Sequence, residues 1–426
     1  MRDLLVLLFT FGGAFQALSK PWIGVLVLTV LAYLNPHRYA WSFSRAFPVY
    51  LIVFVATIVG ILVNQKERQP FPWTRETITF VLLLGWFTLT TFIDPDVPYA
   101  ANDQWIKVMK IYIGIFPTFW VINTEHRFKW LLITIAFSFG LIGIKGGVFA
   151  LGTGLNYRVW GPDNTFYGGN NEIALALNMM LPFFLFFAKH TQKLNLRVLC
   201  YSTFGLSVCS VVASRSRGAF LTLCVVLLSI VLASKRKWIA VPILAAGLMI
   251  AIPRLPDVWT ERMATITEYE EDGSAMGRIA AWNYAYQRVL ENPILGGGFE
   301  TFLLHGRDVH SAYFEILGEH GFIALGLWLS LLLGAVVSLQ RLRKRVKELE
   351  DGAWWRDCAR AIQISLIGYA VGGAFLGAAY WDIFYHLVAL SVLMKVFIHR
   401  KEEALSPSSV AVSSESVGYR ARVPVG

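Results

Sequence analysis

Long apolar runs alternate with short polar stretches along almost the whole chain. The runs fall at 3–19, 21–35, 47–64, 78–94, 107–123, 128–150, 171–189, 197–213, 217–234, 236–252, 317–340, 361–379 and 383–398. A membrane-crossing helix needs about 20 mostly apolar residues. Each run therefore predicts a helix that crosses or enters a bilayer. The first two are short and split by Ser19-Lys20-Pro21, which predicts a broken or re-entrant pair and about twelve crossings in all. The longest polar interruption is 253–316. It reads as a loop, a helix beginning near Ser274 and a Gly-rich stop. Residues 402–426 are rich in Ser and Val with no helical period, which predicts a disordered tail.

The predicted fold is thus an all-α polytopic membrane protein. Its parts are N-terminal transmembrane helices (1–252), a large, partly helical external loop (253–316), C-terminal transmembrane helices (317–400) with a basic loop at 341–360, and a tail (401–426). Composition agrees. Of the 426 residues, 56% are hydrophobic and only 15% charged, against roughly 25% charged in soluble domains. Mean hydropathy is +0.54. Trp22, Trp41, Trp73, Trp105, Trp120 and Trp130 stand at run ends, where an amphipathic ring favours the water–lipid boundary.

Charge orients the spans. The net charge of +10 would suggest nucleic acid in a soluble protein, but here the cations sit in short connections between apolar runs. RLRKRVKELEDGAWWRDCAR (341–360) is the densest basic stretch and is expected in the cytoplasm. It is either a helix lying on the inner leaflet through Trp354 and Trp355 or a solvated loop. Alternating sides then puts SKRK (234–237), KHTQKLNLR (189–197), EHRFK (125–129) and QKERQPFPWTR (65–75) inside. The 253–316 block, Arg158–Asn170, SRSR (214–217) and DPDVPYAANDQ (94–104) fall outside. With a broken first pair, both termini are expected inside. MRDLLVLLFTFGG lacks a small-x-small cleavage site and is followed by further spans, so it reads as part of the membrane domain. The four cysteines show no CxxC or Cys/His metal spacing and read as small buried residues.

Charged groups near a bilayer are costly and point to function. Four outer stretches hold them. In VVASRSRGAFLT (211–222), Arg215 and Arg217 sit at a tight turn at a helix N-terminus. Such an end suits phosphate, and an arginine fork binds it bidentately. Residues two apart on a helix diverge, so Arg215 is expected to face a site while Arg217 supports it. Headgroup anchoring is the plain alternative. In DGSAMGRIAAWNYAYQRVLENPILGGGFETF (272–302), Arg278 lies in the first helical turn, where a cation opposes the dipole. An anion should compensate, either a ligand or an acid of EYEED (268–272). Trp282 follows one turn on. The GGG at 296–298 follows no strand and precedes no GK[ST], so it reads as a turn and not as a phosphate loop. In GRDVHSAYFEILGEHGFIAL (306–325), His310 precedes a helix that re-enters the membrane. It is a candidate general base or a structural histidine, and Glu315 and Glu319 lie one turn apart. In YRVWGPDNTFYGGNNEIAL (157–175), Arg158, Asn170 and Asn171 are candidates for substrate contact or for capping. Arginines with one histidine, all outside, suggest a lipid-pyrophosphate substrate. No DxD-like metal motif is evident there, so no metal or cofactor is expected.

The same residues carry a resemblance. The order Arg158-x-x-Gly161 to Asn170-Asn171, then Ser-Arg-Ser-Arg-Gly, then Gly277-Arg278 with Trp282 and Asn292-Pro293…Gly-Gly-Gly, and last His310-Ser311-x-x-Phe-Glu…Gly-Glu-x-Gly resembles the O-antigen ligase / O-antigen polymerase superfamily of bacterial membrane glycosyltransferases. The N-terminal half resembles the subgroup of exosortase-associated O-glycosylation ligases. The family commonly has His-Asn where this chain has His310-Ser311. The resemblance implies a GT-C-like architecture in the bacterial inner membrane. It further implies metal-independent, inverting transfer of a glycan from undecaprenyl pyrophosphate at the periplasmic face, with lipid A–core as acceptor. Relatives that act as polymerases or that glycosylate proteins use a repeat unit or a Ser/Thr instead. His310, Arg215 and Arg278 would be catalytic. Arg158, Arg217, Asn170, Asn171, Trp282, Tyr313 and Glu315 would contact substrate, with Glu315 able to orient His310. A lipid-linked glycan transporter is the reading of another class. Transporters usually show repeated halves and charges near the midplane, which this chain does not.

Overall fold

A computed structural model describes residues 1–93, 99–251, 253, 255–264, 273–306 and 308–405. The EYEED run and the predicted tail beyond 405 lie outside them, as does the start of the 94–104 stretch. Among the described residues the regular structure is helical: α1 (Arg2–Ser19), α2 (Pro21–Tyr33), α3 (Val49–Val63), α4 (Arg75–Ile93), α5 (Tyr99–Val121), α6 (Glu125–Gly152), α7 (Asn170–His190), α8 (Leu194–Ala213), α9 (Arg217–Leu232), α10 (Lys237–Ala251), α11 (Asp257–Ala264), α12 (Gly273–Glu291), α13 (Ala312–Arg345), α14 (Gly352–Gly373) and α15 (Asp382–Leu405). Every apolar run became a helix. Six are long and apolar enough to cross a membrane: α4, α6, α7, α8, α13 with its short extension, and α15. Shorter apolar helices are α2, α3 and α9.

Side-chain bonds between helix ends define the two ends of the bundle. At one end, Tyr33 bonds His386 at 2.7 Å, Thr90 bonds His320 at 2.7 Å, and Asn170 donates to the Ser214 carbonyl at 2.9 Å. At the other, Lys189 pairs with Asp357 at 2.6 Å, Arg360 donates to the Ala233 carbonyl at 2.9 Å, and Lys401 holds Asp351 and Glu125 at 2.7 and 2.8 Å. The second end collects the basic stretches. The core between them centres on α7, α14 and α15, and α15 is buried along most of its length.

Two expectations are corrected here. The first pair is not one broken span. α1 and α2 form an antiparallel hairpin turning at Lys20. Pro21 at the first helical position has no N–H and stops the preceding helix. Small residues then let the helices approach closely: a Cβ on Gly13 would sit 2.8 Å from Val27, and one on Gly24 would sit 2.8 Å from Ala17. The amino end comes back beside Tyr39, whose carbonyl accepts from Arg2 at 3.2 Å, and Asp3 accepts from Ser44 at 2.6 Å. It therefore lies at the opposite end of the bundle from Leu405. Residues 341–360 are likewise no surface helix. Their first part completes α13 and their last part begins α14. Trp355 is wholly buried against Phe128 and Phe397, because aromatic packing inside the bundle outweighs the interfacial position that a pair of tryptophans suggests.

α13 breaks at Gly321 (φ 74, ψ −173), and the Gly-rich stop docks on the break. Gly297 N–H donates to Gly318 O at 2.9 Å, Gly298 N–H to Glu319 O at 2.8 Å, and Phe322 N–H to Pro293 O at 2.9 Å. Carbonyls freed by the kink are thus re-bonded, as a non-helical segment beside a membrane requires. A Cβ on Gly321 would lie 2.3 Å from Ile294 O, and one on Gly296 2.6 Å from the Glu319 backbone. Gly321→Ala should therefore cost more than the roughly 1–3 kcal/mol of this glycine-only backbone conformation alone. A lower thermal midpoint in detergent, against an unchanged midpoint for Gly326→Ala in the same helix, is the expected result.

Candidate functional site

The turn Ser214-Arg215-Ser216 joins α8 to α9. Ser214 Oγ donates back to Val211 O at 2.6 Å and accepts Ser216 N–H at 3.2 Å. Ser216 Oγ accepts Ala219 N–H at 3.2 Å and so caps α9. Between them Arg215 is forced to φ 55. For a residue with a Cβ this left-handed conformation costs of order 1–3 kcal/mol and persists only where neighbours over-determine it. They do so here. Besides the Asn170 bond to Ser214 O, Val159 N–H donates to Ala213 O at 3.3 Å, and Arg215 Nη2 donates to Leu155 O at 3.2 Å. Arg215 Nε is buried without a partner. Gly218 is needed for a different reason, since a Cβ there would sit 2.8 Å from Phe375 Cβ.

His310 is the second strained residue, at φ 43. Its N–H donates to Asp308 Oδ1 at 3.2 Å, and its Nδ1 lies 3.5 Å from Asp308 Oδ2. The imidazole is 36% exposed, open enough to meet a ligand. Trp282 buttresses this turn from behind. Its Nε1 donates to Val309 O at 2.9 Å, and its ring stacks on Phe314 at 5.3 Å and 13°.

These elements meet in one cleft at the Tyr33–His386 end of the bundle. Arg158, Arg215, Arg217, Arg262, Arg278, His310, Asn170 and Asn171 line it, over a floor of Leu175, Gly372, Phe375 and Leu376. Its empty volume, open mouth included, is about 740 Å³, within the 300–1,000 Å³ usual for ligand pockets. Among the described residues no carboxylate lines it. Burial first, then the neighbouring Arg158 charge, pulls the Arg215 guanidinium below its ordinary value. An arginine keeps its charge at neutral pH all the same.

Seven of the ten site residues expected from the sequence are thus brought together: Arg158, Asn170, Asn171, Arg215, Arg217, Arg278 and His310. Both arginines of the SRSR turn line the cleft, although helix geometry by itself would turn only one of them toward it. They do not share a helix: Arg215 belongs to the strained turn and Arg217 opens α9. Arg278 lies in the second turn of α12, one turn later than expected. Trp282, Tyr313 and Glu315 stand outside the lining. Tyr313 Oη donates to Ala370 O at 2.7 Å. Glu315 accepts Ala379 N–H at 3.0 Å, so it braces the segment after α14, and Asp308 takes the place beside His310. Arg262, on the short helix α11, was missed. Its sole sequence signal is a cation within the 253–316 block.

Asn170 ties the helix α7 N-terminus to the strained turn. Asn170→Ala should destabilise the fold by about 1 kcal/mol, the net worth of one hydrogen bond. The expected readout is a lower thermal midpoint that Asn171→Ala does not reproduce.

Among the described residues no group of three or more His, Cys, Asp or Glu is placed to hold a metal. Residues 202–329 match the family described as O-antigen ligase. Residues 1–192 match a family of unknown function. No curated protein matches the chain. The matched O-antigen ligase segment carries Arg215, Arg217, Arg262, Arg278 and His310, whereas Arg158, Asn170 and Asn171 come from the other.

Proposed function

Residues 202–329 belong to the O-antigen ligase family, and from that premise we propose that the protein is a membrane glycosyltransferase of the ligase type. It moves a glycan from undecaprenyl pyrophosphate to the lipid A–core oligosaccharide, with the cleft facing the periplasm of the inner membrane. The observation that carries this reading is the convergence of five arginines and one exposed histidine in one cleft. Such a lining suits a pyrophosphate leaving group.

In the proposed step, His310 takes the proton of an acceptor hydroxyl as its oxygen attacks the anomeric carbon. The bond from that carbon to the pyrophosphate oxygen breaks, and the electron pair leaves with the phosphate. Arg215 and Arg278 meet the charge that grows there, and cations fixed in place stabilise it more than water, which must reorient, would. Arg158, Arg217 and Arg262 complete the cradle. Asn170 and Asn171 serve the substrate side of α7. Asp308 holds the imidazole in position. Attack opposite the leaving group inverts the anomeric centre, and no metal takes part.

Reconstitution tests the reading. Purified protein in proteoliposomes, given an undecaprenyl-pyrophosphate glycan and rough lipopolysaccharide, should yield glycan on lipid A–core, in EDTA as in its absence. Longer free glycan or glycosylated protein, with none on lipid A–core, would reassign the acceptor. No transfer to any of the three, with glycolipid moved across the bilayer, would replace the enzyme by a transporter.

A further inference from the structure

A second cleft opens at the opposite, basic end of the bundle. Tyr201 of α8 and Ile230 of α9 form its walls, and Pro182 and Leu185 of α7 with Ala361 and Ile364 of α14 form its floor. Its empty volume is about 1360 Å³. Cations from three separate stretches surround the mouth: Lys189 ends α7, Lys235 and Arg236 lie between α9 and α10, and Arg356 and Arg360 open α14. The sole acid of the lining is Asp357, and it is already taken by Lys189 at 2.6 Å and His190 at 3.0 Å. Arg360 spends one nitrogen on the Ala233 carbonyl at 2.9 Å, while its Nε is buried without a partner. The flanks of α8 and α9 are apolar and exposed, at Val198, Leu199, Leu228 and Leu232, as a lipid-facing surface would be.

Apolar depth beneath a cationic rim is the chemistry of an amphiphile with a negative head. We propose that this cleft binds an anionic membrane phospholipid between α8 and α9. Its acyl chains lie along Tyr201 and Ile230, and its phosphate meets Arg236, Arg356 and Arg360. Four cations beyond the Lys189–Asp357 pair favour a head with two phosphates over one. Basic pockets between transmembrane helices on the cytoplasmic side suit such heads. The inference rests on the membrane orientation proposed above, but not on the transferase chemistry of the other cleft.

Lipid binding to the purified full-length protein in detergent tests it. Lipid retained through purification and thermal shift on added lipid are read for a two-phosphate lipid such as cardiolipin, for phosphatidylglycerol, for phosphatidylcholine and for inorganic pyrophosphate. The expected order of stabilisation is cardiolipin, then phosphatidylglycerol, with phosphatidylcholine giving no shift. Arg236→Gln with Arg356→Gln should weaken cardiolipin binding about thirtyfold, from about fivefold per cation near an anionic head, with the lipid-free midpoint unchanged. If that pair also lowers the lipid-free midpoint, wild-type binding decides. A cardiolipin shift that collapses in high salt supports the site, and a salt-independent one overturns it. Equal shifts with phosphatidylcholine, or unchanged binding by the double variant, would also overturn it. So would pyrophosphate alone giving the whole shift, which would make the ligand a soluble anion.

Discussion

His310→Ala is expected to lower glycan transfer by about 10²–10⁴-fold, the usual worth of a positioned general base, while the protein still inserts and folds. The fold should tolerate the change because the turn is held through its backbone: the His310 N–H donates to Asp308, and Trp282 holds the Val309 carbonyl. Alanine meets the same left-handed strain as histidine, so the substitution subtracts the imidazole and little else. Initial transfer rates in proteoliposomes, scaled to inserted protein, provide the measurement. Asp308→Asn should cost less, since it weakens the hold on the ring without removing the base. A His310→Ala protein that transfers at the wild-type rate would remove the histidine from the mechanism.

Arg215→Ala should cost about 10²–10³ in kcat, by analogy with the loss of one preorganised oxyanion donor. The loss should appear in kcat more than in KM, because the leaving phosphate gains charge only as the bond breaks. Lysine should not restore the rate. It keeps the charge but lacks the planar fork that grips two oxygens at once. The strained turn adds a second reason. Arg215 projects from φ 55 with one nitrogen fixed on Leu155 O, so the direction of the group is set before substrate arrives. A flexible ammonium is not fixed in that way. Equal rates for the Arg215→Lys and wild-type proteins would refute a bidentate role.

The helices and most of the site were legible from the chain because both depend on local pattern. Runs of apolar residues select helix in lipid, and a charge in such a setting stands out. Arg215 and His310 were found in this way. The bracing contact of Glu315 was not legible because its partner, Ala379 N–H, lies 64 residues away. Arg262 was missed because a lone arginine on a short polar helix has no local mark. The SRSR pair was read as two positions on one helix, whereas a left-handed turn splits them.

By itself, then, the sequence determined that this is a many-helix membrane protein whose polar stretches carry arginines and a histidine. Hydrophobic burial in lipid leaves no cheaper arrangement for such runs and such charges. The tertiary structure alone decided that α1 and α2 form a hairpin returning the amino end to the side of the site, that the GGG loop repairs a kink in α13, and which cations share a cleft. Each of these depends on close approach of distant backbone, at Gly13, Gly297 and the Ser214 turn, and no local pattern encodes what will lie opposite a glycine or a carbonyl.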